Sequence, residues 1–531
     1  MNEFTIPEIA YLELLPLLIV FGGAIVGVGV EAFVGRSARR TVEIALTSAT
    51  LVAALVACIW VGGRLPVVEH GGTATARGLL TAGDTLAIDG PTVFLWGLVL
   101  LISLAGVLLF AERKVSAGLP AFAGQAAATP GSRAEREADA LGLEHTEVYP
   151  LMLFAVAGMM MFPAANDLLV MFVALEVLSL PLYLLTGLAR RRRMLSQEAA
   201  MKYFLLGAFA SGFFLYGAAL TYGYAGSMKF AQINEAVRNS EGNGLLLLGI
   251  GLLCVGLLFK VGAVPFHQWT PDVYQGAPTA VTAWMAAGTK VAAIGALLRL
   301  LHVAFGSAAW SWQPMLWVIA LATMAAGAVL AIAQTDVKRM LAYSSIAHAG
   351  FMLAGVLGFQ SAADLAPGQL SATQAVLFYL VAYGFAVLAA FALVGLVRDA
   401  SGEVTELARW AGIGKESPLL AGAFAFLLLA MAGIPLTSGF IGKWAVFSVA
   451  GAAGAWPIVV AGVLFSVVAA FFYVRVIMLM FFTEPTGTAA VVRPSWATTA
   501  AISAGVAVTV VLGVLPGPVL ELAAHAGEFL R

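Results

Sequence analysis

Long apolar runs recur along the whole chain, and most are long enough to cross a membrane as a helix. About 20 apolar residues span the ~30 Å hydrocarbon core of a bilayer, and a backbone in lipid must satisfy its own hydrogen bonds, which favours helices. The 531 residues are 61% hydrophobic and 11% charged, against roughly 25% charged in soluble domains. We therefore predict an all-α polytopic membrane protein.

The apolar runs divide into fourteen predicted spans. They lie near residues 12–34, 41–62, 91–111, 148–163, 167–189, 200–225, 245–269, 278–303, 314–335, 340–360, 371–397, 418–450, 456–482 and 497–516. Loops on one face hold 17 Lys and Arg, Lys338 among them, and the other face, with both termini, holds five: Arg64, Arg77, Lys229, Arg238 and Arg531. Because Lys- and Arg-rich loops stay in the cytoplasm, we predict that both termini lie outside the cell inner (plasma) membrane.

Five segments follow from this scheme. They are an N-terminal three-helix segment (1–111), a cytoplasmic loop insertion (112–147), two five-helix units (148–303 and 314–482) and a C-terminal helix with its tail (483–531). The insertion is Ala/Gly/Pro-rich and charged, so we expect a mobile loop with about one helical turn. No Lys or Arg precedes the first apolar run, so we expect it to stay as a membrane anchor. Residues 190–193 (RRRR) are mainly a topology signal, with lipid-headgroup binding as the less frequent alternative.

Two spans contain residues that break helices. The seventh span holds GAVPFH (262–267), and the 33-residue run at 418–450, too long for one straight helix, holds GIPLTSG. Proline removes a backbone hydrogen bond and glycine loosens the helix, which predicts breaks at Gly262 and Pro265, and at Gly433, Pro435 and Gly439. The breaks fall five helices apart, an odd number. We therefore predict two inverted repeats, helices 4–8 and 9–13, with helices 7 and 12 broken.

Six basic residues and one acid remain inside the predicted spans. Arg299 and Arg475 lie near span ends, where a long side chain reaches the headgroups. Lys202 lies a few residues into its span, so snorkelling and function remain equally open. The residues deepest in their spans are Glu176, Lys260, Lys290 and Lys443. Each such charge costs about 2.5–3.5 kcal/mol at mid-bilayer, so we expect them to be functional or to form buried structural ion pairs.

The functional interpretation is a proton relay. Burial disfavours the charged form of a lysine or a glutamate and a nearby opposite charge favours it, so such groups exchange protons readily. His348, in YSSIAHAGF beside Tyr343, Ser344 and Ser345, is well placed to extend a polar path. His267 is a candidate relay member or a satisfied core histidine. A packing kink without water is the alternative interpretation of the helix breaks.

The sequence offers no ligands for a metal or a redox cofactor. Cys58 and Cys254 are far apart, without a CxxC pair or a histidine cluster, which excludes an iron–sulfur or structural zinc site of the usual kind. The Gly249-Ile-Gly251 stretch lacks a third glycine and a preceding strand. We expect no cofactor or metal on this chain, a lipid bilayer around it and no nucleic-acid partner.

Three stretches together resemble a known family. They are VGAVPFHQWTPDVYQGAPTAVTAWMAAGTKVAAIGALLRL, DVKRMLAYSSIAHAGFML and AGIPLTSGFIGKWAVF, and they resemble the antiporter-like, proton-translocating subunits of respiratory complex I, most of all its subunit N branch. The resemblance covers about residues 150–483. It implies a pair between Glu176 and Lys260, modulation by Lys202, and a path through Lys290 and His348 to Lys443.

The resemblance also implies partners and leaves alternatives. FMN, iron–sulfur clusters and quinone are expected on other chains, and the expected neighbours are membrane-arm subunits, including subunits M and K. A subunit of a multisubunit sodium/proton antiporter is one alternative; those relatives tend to carry a histidine after the PTxV element, which PTAVTAWMAAGTK lacks. An uncoupled scaffold subunit is the other. The proteins that co-purify with the chain would separate these interpretations.

Overall fold

The structure is a computed structural model that describes residues 8–70, 73–116, 118–129, 131–141, 143–239, 244–360, 365–366, 368–400, 402–485 and 489–530. Helices dominate it. The first ten are α1 Leu15–Phe33, α2 Arg36–Gly62, α3 Gly90–Phe110, α4 Arg133–Ala140, α5 Val148–Ala164, α6 Leu168–Thr186, α7 Arg193–Ala225, α8 Phe230–Asn239, α9 Gly244–Val261 and α10 Trp269–Gly276. The rest are α11 Thr279–Arg299, α12 Ala309–Ile332, α13 Val337–Leu357, α14 Ala372–Val394, α15 Ile413–Glu416, α16 Pro418–Ala432, α17 Ser438–Ala452, α18 Trp456–Phe482, α19 Trp496–Val514 and α20 Gly517–Ala526.

The predicted fold class is confirmed. Within the described ranges, twelve helices are long and apolar enough to cross a membrane. The other two predicted spans coincide with the short apolar helix α5 and with the pair α16 and α17. The inverted relation between the two five-helix units stays a prediction.

Short strands in the loops were not predicted. Strands β1 (Val67–His70), β2 (Thr73–Thr81) and β3 (Leu86–Asp89) form an antiparallel sheet between α2 and α3. A second small sheet has the order β5-β4-β6, with β4 Val397–Asp399, β5 Gly402–Glu403 and β6 Ala490–Val491. Both lie outside the long apolar runs, so the periodicity that identifies membrane helices carried no signal for them.

Both predicted helix breaks are present, and they begin in the same way. Gly262 follows α9 and Gly433 follows α16, each in the left-handed region, with φ of 79° and 89°. At each break the glycine N–H and the next N–H donate to one carbonyl, that of Leu258 or Leu429. This pattern is a helix C-cap that glycine adopts without the steric cost of a Cβ.

The remaining predicted break residues differ in place. Pro265 lies exposed in the turn between α9 and α10, and Pro435 lies between α16 and α17. Gly439, however, lies in the first turn of α17 and not in the break. A Cβ at Gly439 would come 1.9 Å from the carbonyl oxygen of Ala430, so this glycine allows the two half-helices to pack closely.

Described parts of the 112–147 insertion pack against the rest of the chain, whereas the mobility of this loop stays a prediction. Arg190 donates to the carbonyls of Pro120 and Phe122, at 3.1 and 3.0 Å. Arg193 donates to the carbonyls of Gln125 and Ala126, at 3.0 and 2.9 Å. Both arginines are buried, which places them against the loop. The eight-residue helix α4 also exceeds the single turn expected there.

Arg299 does not reach toward the headgroups as the sequence predicted. It is fully buried and donates through Nη2 to both carboxylate oxygens of Asp89, at 2.7 and 2.8 Å. Local sequence pattern carries no signal for this pair, because the partners are 210 residues apart. Arg475 is exposed, and its Nη1 donates to the carbonyl of Ile332.

The most buried helices are α11, α13 and α14, which are covered along nearly their whole length. The outer helices, such as α1 and α18, instead present apolar side chains outward. Two predicted relay residues, Lys290 and His348, are therefore carried by the innermost helices of the bundle.

Candidate functional site

Lys260 lies in the last turn of α9, just before the first helix break. Its side chain is 2% exposed, and its Nζ lies 3.3 Å from the hydroxyl of Tyr203. The ammonium also lies 5.1 Å from the centre of the Tyr203 ring and 5.7 Å from that of Tyr183. Aromatic faces attract a cation, so two tyrosines from α6 and α7 hold this charge.

Glu176 and Lys260 are neighbours without a direct contact. Glu176 is half-buried on α6, and its Oε1 has no hydrogen-bond partner among the described residues. Tyr183, whose ring centre lies 5.7 Å from Lys260 Nζ, is on the same helix as Glu176, but no ion pair within 4 Å joins Glu176 and Lys260 in the part of the chain that the structure describes. The pair expected from the resemblance is thus separated in this structure.

Lys202 lies outside this pair. Its Nζ is 2.7 Å from Glu198 Oε1 and 2.7 Å from Asp272 Oδ2, and its side chain is 42% exposed. The other Asp272 oxygen accepts from Arg339 Nη1 at 2.6 Å. Lys202 therefore belongs to a surface ion network that joins α7, the short helix α10 and the start of α13.

Lys290 lies at the centre of the bundle on α11. Its Nζ donates to the carbonyl and to the hydroxyl of Ser345, at 2.6 and 2.8 Å. Tyr383, on α14, donates to the same hydroxyl at 2.7 Å. The ammonium is 2% exposed and is held by neutral oxygens of α13.

His348 lies one turn after Ser345 on α13. Its Nδ1 is 2.7 Å from the hydroxyl of Tyr379, and its Nε2 is 3.5 Å from the hydroxyl of Tyr473. Tyr473 in turn hydrogen-bonds Ser344. The imidazole ring also packs 5.2 Å from the Tyr383 ring, so His348 and Lys290 share a single polar cluster. Among the described residues, Tyr343 makes no side-chain hydrogen bond to this cluster.

Lys443, on α17, is held by the second helix break. Its Nζ donates to the carbonyls of Met431 and Ala432, at 3.0 and 2.8 Å, and to Ser466 Oγ at 2.6 Å. Both carbonyls belong to the last turn of α16, where they have no partner further along the helix. The break thus supplies the oxygens that hold a buried ammonium.

The charged row runs from Glu176 and Lys260 through Lys290 and His348 to Lys443. It contains two intervals that no hydrogen bond crosses. Between Lys260 and the Lys290 cluster lie three aromatic rings: Tyr203 stacks on Trp269, and Tyr274 meets Trp269 edge-on. Between His348 and Lys443 lies the ring of Phe351, which contacts both. His267 is half-buried in the first break, and its Nδ1 has no partner among the described residues, so the structure does not bring it into the row.

Sequence reasoning missed the tyrosines and one lysine. Tyr379 and Tyr383 are four residues apart and therefore share a face of α14, a signal that the sequence did contain. Lys338 was counted as a loop residue, yet it is 2% exposed and donates to the Ala277 carbonyl and to Thr279 Oγ1, at 2.9 and 3.1 Å. Its partners lie at the junction of α10 and α11, 61 and 59 residues earlier in the chain.

No metal site is apparent in the described ranges: they contain no group of three or more His, Cys, Asp or Glu side chains placed to hold an ion. Cys58 and Cys254 are both buried and free.

A family model described as "NADH:quinone oxidoreductase/Mrp antiporter, TM" matches residues 165–469. A curated relative from Nocardioides sp., named NADH-quinone oxidoreductase subunit N, is 65% identical to this chain, and the match covers 100% of both proteins. The chain belongs to the NADH-quinone oxidoreductase subunit N family. The matched residues of the family model include every charged residue of the row, from Glu176 to Lys443.

Solved structures agree with the subunit N family assignment. A chain of respiratory complex I from Thermus thermophilus, solved with bound aureothin, is 34% identical, with a TM-score of 0.74, and the match covers 97% of this chain and 100% of that one. A chain of the Mrp complex from Dietzia sp. has a TM-score of 0.76 at 22% identity, over 96% and 97% of the two chains. The second likeness shows a shared fold.

Proposed function

We propose that this chain is a membrane-arm subunit of an NADH-quinone oxidoreductase and that it translocates protons across the cell inner (plasma) membrane. Membership of the subunit N family supports the assignment to that enzyme. The observation that carries the proton-translocating role is the Lys290–Ser345–Tyr383–His348 cluster, which places titratable groups and hydroxyls in contact at the centre of the bundle.

The proton enters from the cytoplasmic face through the broken seventh helix and reaches Lys260. It continues to Lys290, where the Ser345 and Tyr383 hydroxyls connect the ammonium to the surroundings of His348. From there it reaches Lys443 beside the second break and leaves on the outer side. Water molecules carry the proton across the two intervals that contain aromatic rings, because rings offer no donor and acceptor chain.

Coupling acts on the distance between Glu176 and Lys260. A carboxylate close to Lys260 favours the ammonium, and a distant one disfavours it, so changing this separation drives the proton toward Lys290. The absence of an ion pair between these two described residues is consistent with the separated state. Quinone reduction on partner chains supplies the driving force, with FMN, iron–sulfur clusters and quinone held there, and subunits M and K are the proposed neighbours.

The proposed topology places both termini on the outer side. Its support is the excess of Lys and Arg in the loops of the opposite face. Arg531, one of the few basic residues assigned to the outer face, lies outside the described residues. The sodium/proton antiporter alternative has less support, because the likeness to the Mrp complex chain concerns the fold.

Two substitutions test this proposal. In membranes where the variant chain is the sole copy, we expect Lys260→Ala and Glu176→Ala to abolish most NADH-driven quinone reduction and proton translocation while the complex still assembles. The control is Lys415→Ala, which removes an exposed ammonium paired with Glu484 and leaves both activities intact. Wild-type turnover and proton yield in Lys260→Ala or Glu176→Ala would refute the relay.

A further inference from the structure

An apolar groove whose lining includes no residue of the charged row lies between helices α2, α3, α14 and α20. Its volume is about 540 Å³. The walls are apolar, formed by residues such as Leu55, Leu101, Phe385 and Leu522. A groove of this kind on a membrane-spanning surface is suited to a hydrocarbon chain.

A glycine keeps the groove open. Gly97, on α3, lines it, and a Cβ built on this residue meets no atom within 4 Å. Gly97 therefore faces empty space and is not needed for close helix packing. A larger side chain here would fill the groove without displacing its walls.

One end of the groove is basic. Arg77 of β2 and His525 of α20 line it there, and Arg77 forms no ion pair with any acidic residue that the structure describes. Arg64 lies nearby in sequence after α2, with its guanidinium 4.2 Å from the centre of the half-exposed Trp60 ring. Tryptophan and arginine gather at the headgroup level of a bilayer. Arg77, one of the five basic residues predicted on the outer face, thus lines the groove, and Arg64, another of the five, lies next in sequence to the lining residues Gly63 and Leu65.

We propose that this groove binds an anionic phospholipid, with one acyl chain between α2, α3, α14 and α20 and with the phosphate at Arg77 and His525. Arginine pairs with phosphate through two parallel hydrogen bonds, which matches the basic end. A quinone would bring a neutral head to a basic end.

Native mass spectrometry of the intact complex tests this site. The complex is washed free of loosely held lipid and titrated with phosphatidylglycerol or with phosphatidylcholine of the same acyl chains. We expect one phosphatidylglycerol to stay on the wild-type chain. Gly97→Leu should lose it, and Arg77→Gln should bind it about tenfold more weakly and with no preference over phosphatidylcholine.

The matched control is Gly212→Leu. Gly212 is also a glycine with no atom within 4 Å of a built Cβ, but it is exposed on α7, away from the groove. Retention of lipid in this variant supports the proposal. Lipid retained by Gly97→Leu, equal loss in both glycine variants, or a quinone adduct that Gly97→Leu loses and Gly212→Leu keeps would each overturn it. None of these readouts depends on proton translocation.

Discussion

At the scale of single residues, neutral oxygens hold two of the buried ammonium groups. Lys290 is held by the Ser345 carbonyl and hydroxyl, and Lys443 by two main-chain carbonyls and Ser466. Hydrogen bonds to neutral oxygens are weaker than those to carboxylates. A lysine so held is stabilised when charged but is not fixed in that state, as a carboxylate partner would fix it. The arrangement suits a group that must gain and release a proton.

Substitution of Ser345 tests whether the neutral oxygens around Lys290 contribute to proton transfer. We expect Ser345→Ala to lower coupled turnover by roughly tenfold, because a hydrogen bond to a charged group contributes about 1.5–3 kcal/mol and the Lys290 ammonium loses its hydroxyl partner. The measurement is NADH-driven proton translocation in membranes with equal amounts of assembled complex. Ser448→Ala is the control, since among the described residues that hydroxyl donates only to the Ala445 carbonyl of its own helix. Equal rates in the two variants would contradict this role for Ser345.

At the scale of elements, the second helix break positions Lys443. The break begins at Gly433, whose left-handed conformation ends α16 and leaves the last carbonyls of that helix facing the ammonium. A Cβ on Gly433 would lie 3.1 Å from Lys443 Cδ and 3.2 Å from its Nζ. Backbone geometry and charge placement are therefore joined at this one position.

Two glycines with the same backbone geometry separate strain from function. Gly433→Ala and Gly454→Ala both force an alanine into the left-handed region, at φ of 89° and 82°, and each should lose about 1–2 kcal/mol of stability. A Cβ at Gly454 meets nothing within 4 Å, so we expect a normal proton yield there. Gly433→Ala should lose most of its yield because Lys443 is displaced. Thermal unfolding and proton yield are measured in parallel for both variants. An equal proton yield in the two would exclude a role for Gly433 in positioning Lys443.

Sequence alone predicted the elements that local pattern determines. Apolar runs located the helices, and glycine with proline located both breaks, because these signals act within about one helical turn. Contacts between residues that are distant in the chain could not be predicted from local pattern. Arg299 was assigned to the headgroups and Lys338 to a loop, whereas contacts with Asp89 and Ala277 bury them. The docking of the 112–147 loop on Arg190 and Arg193 was missed for the same reason.

At the scale of the whole molecule, one buried ion pair joins distant parts of the chain. Asp89 ends β3 and caps the N-terminus of α3, accepting from Thr92 N at 3.1 Å. It also pairs with Arg299 at the end of α11 and accepts from Leu530 N at 3.0 Å. The N-terminal segment, the first five-helix unit and the C-terminal tail thus meet at one carboxylate.

Removal of that carboxylate should therefore loosen the whole subunit. Asp89→Ala leaves the fully buried Arg299 without its charge partner, which costs about 3–5 kcal/mol. We expect less assembled complex and a clearly lower temperature at which the solubilised complex loses this subunit, as followed on native gels. Asp89→Leu combined with Arg299→Met should recover much of the loss, because an apolar pair often replaces a buried ion pair without penalty. Lys415→Ala, which breaks an exposed pair worth roughly 0–1 kcal/mol, sets the scale for comparison. If Asp89→Ala is no less stable than Lys415→Ala, the buried pair is not what holds these three parts together.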